Sequence, residues 1–89
     1  MRIRNGFKLR KICGTDVVIA IGVEHVDFSK IISLNESAAW LWKQVEGTDF
    51  DVERMVSLLK SRYEVDEDTA RVDATKLLES WLNVNIIEK

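Results

Sequence analysis

The stretch from Lys30 to Gly47, Lys-Ile-Ile-Ser-Leu-Asn-Glu-Ser-Ala-Ala-Trp-Leu-Trp-Lys-Gln-Val-Glu-Gly, constrains the fold more than any other part of the chain. A β-type run ends at Leu34, and a helix begins immediately after Asn35. Asn35 suits the N-cap because its side-chain oxygen can accept from an amide that the first turn leaves unpaired. Glu36 follows in the first turn, where its charge favours the positive end of the helix dipole. At about 100° per residue, Ala38, Leu41, Trp42 and Val45 share one face, with Glu36, Lys43 and Gln44 opposite. Gly47 is placed to stop the helix, since glycine takes the left-handed conformation at C′ without strain. Strand and helix are joined with almost no loop, so the helix must pack directly on the sheet that the strand belongs to.

The rest of the chain supplies that sheet and two more helices. Phe7 to Cys13 alternates Phe7, Leu9, Lys11 and Cys13 with Lys8, Arg10 and Ile12, as a half-buried strand does. Gly14-Thr15-Asp16 is a turn signal, and Val17 to Ile21 reads as the returning strand of a hairpin that ends at Gly22. Val23 to Ser29 reads as a loop, and Ser29 to Leu34 as a third strand. A second helix is expected from the Asp51 N-cap, with Val52, Met55, Val56, Leu59 and Tyr63 forming its apolar stripe. A third starts near Asp66 and buries Ala70, Ala74, Leu77, Leu78 and Trp81, with Arg71, Thr75 and Leu82 on a shoulder. Val84 to Ile87 closes the chain as a short extended segment. The expected fold class is therefore α+β: one small winged-helix-like domain over residues 1–89, a three-stranded antiparallel sheet followed by three helices.

Composition excludes several functions. No apolar run approaches the roughly 20 residues of a membrane span, and no signal-peptide apolar segment follows the basic N-terminus. A single cysteine makes no internal disulfide, which fits a reducing cytoplasm. One histidine (His25) and one cysteine (Cys13) lack metal-ligand spacing, so neither a metal nor another cofactor is expected. Cys13 has no histidine nearby in sequence to activate it, and the acidic pairs are explained by helix starts. The glycines are scattered at turns and form no phosphate loop. An enzyme is not expected.

Charge separates the remaining readings. Residues 1–34 carry six Lys/Arg against three Asp/Glu, whereas residues 51–83 carry five against eight. The third helix presents Asp66, Glu67, Asp68, Asp73 and Glu79 against only Arg71 and Lys76, a surface that repels phosphate. A DNA-binding winged helix, the main alternative, is therefore disfavoured, and neither nucleic acid nor membrane is an expected partner. An edge strand beside the third helix instead suits an extended peptide, which can add as another strand. Trp40 falls toward the polar side of the first helix and is a candidate partner contact, in a homodimer or a hetero-complex.

Leu34-Asn35-Glu36-Ser37-Ala38-Ala39, followed by Leu41-Trp42, resembles the PqqD family (coenzyme PQQ synthesis protein D), which typifies the RiPP recognition element. The hairpin before this motif, the Leu58-Leu59 helix after it and the acidic start of the last helix resemble that family too. The resemblance implies a non-catalytic adaptor. Such a domain binds the leader of a ribosomally made precursor peptide and presents it to a modifying enzyme, often a radical SAM protein. It implies that the leader pairs with the third strand, here Ser29, Lys30, Ile31, Ile32 and Ser33, and lies against the third helix. On that helix Leu78 and Leu82 would offer an apolar wall beside Thr75, and Arg71 would hold a leader carboxylate. Lys76 with Asp73, on the other shoulder, is the alternative. Replacing Ile31 with proline is expected to remove a ladder donor and weaken binding.

Overall fold

The computed structural model describes residues 1–20 and 32–89. Five strands and three helices follow one another as β1 (Arg2–Ile3), β2 (Phe7–Ile12), β3 (Thr15–Ala20), β4 (Ile32–Leu34), α1 (Glu36–Val45), α2 (Val52–Arg62), α3 (Glu67–Asn83) and β5 (Ile87–Glu88). Strands β2, β3 and β4 form an antiparallel sheet in that spatial order, so the expected α+β arrangement of three strands and three helices is present. The remainder of the expected third strand, Ser29, Lys30 and Ile31, lies outside the described residues, as do Ile21, Gly22 and His25.

The hairpin turn falls one residue earlier than the sequence suggests. Ile12 pairs with Thr15, which leaves Cys13 and Gly14 as a two-residue loop. Both have positive φ, 51° and 79°, as a type I′ turn requires. Thr15 and Asp16 therefore belong to the strand, and Cys13 sits exposed in the turn rather than ending β2.

Pairing in register puts Leu9, Val18 and Ile32 in one row across the sheet, with Leu34 beside them on the same face. The helices pack on that face. Ala38, Ala39, Leu41, Trp42 and Val45 of α1 join Met55, Val56, Leu58 and Leu59 of α2 and Ala70, Ala74, Leu78 and Trp81 of α3 in one core. Trp42 and Trp81 meet edge to face at its centre, with ring centroids 5.3 Å apart. Small residues let the helices close on these two rings: Ala70 and Ala74 are fully buried.

Each helix start is capped as its sequence requires. Asn35 accepts from the Ala38 amide at 2.8 Å, Asp51 from Arg54 at 2.8 Å and Asp66 from Thr69 at 2.7 Å. Gly47 follows the end of α1 at φ 78°. Helix α3 ends on Asn85 at φ 63°, whose amide donates to Leu82 O while Ile86 N–H reaches back to Trp81 O. That pair of bonds is a Schellman motif built on asparagine, and it drives the fully buried Ile86 into the core.

The chain ends are tied together: the expected closing segment becomes extended at Ile87–Glu88, and its pairing with the N-terminus has no counterpart in the sequence reading. Strand β1 pairs with β5 through Arg2–Glu88 and Ile3–Ile87. Arg4 N–H donates to Ile86 O, and the Phe50 amide donates to Met1 O at 2.7 Å.

Candidate functional site

Strand β4 is an outer strand of its sheet, and among the described residues no other strand lies on its free side. The residue that follows it, Asn35, opens one wall of a cavity of about 480 Å³. Ser37, Ala38 and Leu41 of α1 continue that wall, and Leu59 of α2 contributes to the floor. Asp73, Lys76, Leu77 and Ser80 of α3 make the opposite wall. The cavity thus lies between α3 and the strand-to-helix junction on which the fold is built.

Its chemistry is divided between floor and rim. Leu41 and Leu59 are buried and Leu77 is half-buried against the core, which gives an apolar base. At the rim, Ser37 Oγ donates to Asn35 Oδ1, which also accepts from the Ala38 amide, so these polar groups satisfy one another. Asp73 and Lys76 are the charged residues of the lining, and neither has an ion-pair partner among the described residues.

The expected site residues divide between two sides of α3. Arg71 faces α2, where its guanidinium grips the Glu53 carboxylate with both terminal nitrogens, Nη2 to Oε2 at 3.1 Å. That hydrogen bond holds Glu53 below the ordinary glutamate value of 4.5, against an opposing desolvation. Lys60 and Glu67, 3.5 Å apart, add a second link between the same helices. Leu78 is 2% exposed and belongs to the core. Thr75 and Leu82 are half-buried, Leu82 against that core. None of these four lines the cavity. On α3 the cavity takes the shoulder away from Arg71, where Asp73, Lys76, Leu77 and Ser80 recur at three and four. Leu77 and Ser80 escaped the sequence reading as site residues because a leucine beside the Leu78 stripe reads as core. Of the strand residues, Ile32 is half-buried against the core and Ser33 is exposed.

Trp40, the candidate partner contact, is engaged within the chain. Its ring meets Tyr63 nearly perpendicularly at 6.4 Å, and the Arg62 guanidinium lies 4.7 Å from its centroid. Among the described residues no group of three or more His, Cys, Asp or Glu side chains is placed to hold a metal ion. No helix among them is long and apolar enough to cross a membrane.

The family model for coenzyme PQQ synthesis protein D (PqqD) matches residues 17–87. The chain belongs to the PqqD family. The matched region runs from β3 to β5 and so includes the whole cavity. A solved structure, TbiB1 in complex with the TbiA(beta) leader peptide, has the same fold as this PqqD-family chain, with a TM-score of 0.74 at 19% identity. The alignment covers 99% of this chain and 95% of that one. No curated protein matches the sequence.

Proposed function

We propose that this PqqD-family chain is a non-catalytic peptide-binding adaptor. It takes up the leader of a ribosomally synthesised precursor peptide as an added strand and presents it to a separate modifying enzyme, of the radical SAM type. The observation that carries this reading is the outer strand β4 running straight into a cavity with an apolar floor and a polar rim. Main-chain bonds along an outer strand supply affinity that depends little on sequence, and the cavity beside it supplies selection. The family match supports the reading, as does a neighbour of the same fold that was solved with a leader peptide.

The test is a calorimetric titration with a synthetic precursor leader peptide, using the wild-type protein and Leu77→Glu. A carboxylate at Leu77 puts charge on the apolar base of the cavity, and binding is expected to weaken about tenfold or more, roughly 1.4 kcal/mol. A variant that melts as the wild type does and binds the peptide equally well contradicts the proposed site.

A further inference from the structure

The sheet has a second outer strand, β2, and its charge differs from that of β4. Lys8, Arg10 and Lys11 fall within the six residues of β2, which include no acid, whereas β4 is uncharged. All three cations are exposed, and none has an ion-pair partner among the described residues. With the order β2-β3-β4 and about 4.8 Å between neighbouring strands, the two free sides lie about 10 Å apart and face opposite ways. Occupying one leaves the other open.

Register decides which main-chain groups of β2 point outward. Ile12 and Thr15 flank the two-residue loop and exchange hydrogen bonds, so Arg10 with Val17 and Lys8 with Ile19 do the same at every second pair. Phe7, Leu9 and Lys11 therefore turn their amides and carbonyls to the free side. Two contacts agree with this: the Phe7 amide donates to Arg4 O, and Leu9 O accepts from the Arg10 guanidinium at 2.9 Å, neither partner being on β3. A polypeptide strand answers such a row of donors and acceptors, whereas a phosphate backbone leaves the carbonyls unanswered.

Charge then chooses the strand. A second copy pairing β2 with β2 antiparallel sets like charges directly opposite in every register that joins five or six residues: Lys8 against Lys11, Lys8 against Arg10, or Arg10 against itself. An acidic strand meets the reverse situation. Lys8 and Arg10 share the sheet face turned away from the helices, and Asp16 lies on the other face. Leu9, between them, is half-buried against the core. We propose that the free side of β2 docks an extended acidic segment of a partner protein. Its carboxylates stand at two alternate positions opposite Lys8 and Arg10, with an apolar residue between them beside Leu9. The Arg10 guanidinium, already lying along the free side, meets one carboxylate as the segment arrives. This surface is separate from the leader site and does not depend on it.

The experiment titrates the isotopically labelled full chain with a synthetic peptide of about twelve residues centred on Glu-Val-Glu, or with the same peptide carrying Lys-Val-Lys. The acidic peptide is expected to shift the Leu9 and Lys11 amides and leave those of β4 in place, with an affinity that falls several-fold between about 0.05 and 0.5 M salt. The basic peptide is expected to leave the spectrum unchanged. The double variant Lys8→Glu with Arg10→Glu alters two exposed residues outside the core, and it is expected to melt as the wild type does and to prefer the basic peptide. Equal binding of the two peptides, shifts confined to β4, no binding at millimolar peptide, or a preference that the double variant keeps would each overturn the proposal. So would self-association of the chain through the same amides, or tighter binding there of duplex DNA or anionic vesicles than of the acidic peptide. Leader binding along β4 stands or falls separately from all of these results.

Discussion

At the residue scale, the three tryptophans occupy two kinds of environment, Trp42 and Trp81 buried and Trp40 half-buried. Trp42 and Trp81 are buried against each other, and both indole N–H groups are without an acceptor among the described residues. Replacing Trp42 with alanine is expected to cost about 3–5 kcal/mol. That is a large share of the roughly 4–13 kcal/mol a chain of this length has, at about 0.05–0.15 kcal/mol per residue. Trp40→Ala, which removes a half-buried ring from Tyr63 and Arg62, is expected to cost less than half as much; urea denaturation of the two variants compares them directly. Glu53 and Asp66 each add a share of acid sensitivity through their depressed carboxyls. Glu53 is held down by the Arg71 hydrogen bond and Asp66 by the Thr69 amide. Their folded values lie below the unfolded ones, so their contribution is fully present at neutral pH. It is lost as pH falls below 4.5 for Glu53 and below 3.8 for Asp66, through their still lower folded values. Thermal melts across the acid range are expected to fall less steeply for Glu53→Gln than for the wild type; parallel curves would contradict this assignment.

At the element scale, what was legible in the sequence was whatever has a period or a cap. Asn35, Asp51 and Asp66 each begin a helix at the expected residue, and the stripe of Ala38, Leu41, Trp42 and Val45 is buried as its spacing implies. Strands β1 and β5 were not legible as a pair, because two residues are too few to show alternation and their partners are 86 positions apart at Arg2 and Glu88. The shoulder of α3 that lines the cavity was not decided by the sequence either. Leu77, Leu78 and Leu82 leave α3 apolar on several sides; burial of Ala70, Ala74, Leu78 and Trp81 places Arg71 beside Glu53 of α2 and leaves Asp73, Lys76, Leu77 and Ser80 toward the cavity. The hairpin turn was placed one residue late because Cys13 is an unusual occupant of a position with φ 51°. Asparagine tolerates that conformation better, so Cys13→Asn is expected to raise stability by up to about 1 kcal/mol. A lowered melting temperature for that variant would mean that the thiol makes a contact that asparagine cannot replace.

At the scale of the whole molecule, residues 1–34 carry six Lys/Arg against three Asp/Glu while residues 51–83 carry five against eight, and this asymmetry bears on partners more than on fold. Of the two cations on α3, Arg71 is already paired with Glu53, while Asp68, Asp73 and Glu79 of the same helix have no ion-pair partner among the described residues. Duplex DNA is accordingly expected not to bind at about 0.15 M salt. Tight binding with a steep salt dependence that Lys76→Ala relieves would revive the winged-helix regulator. The account as a whole depends on β4 receiving a peptide backbone along its free side. Amide hydrogen exchange of the labelled protein, with and without a synthetic precursor leader peptide, addresses that dependence most directly. The account predicts slowed exchange within Ile32, Ser33 and Leu34, together with backbone contacts from the peptide to that strand. Saturating peptide that leaves exchange in β4 unchanged, with its contacts elsewhere on the molecule, would contradict it.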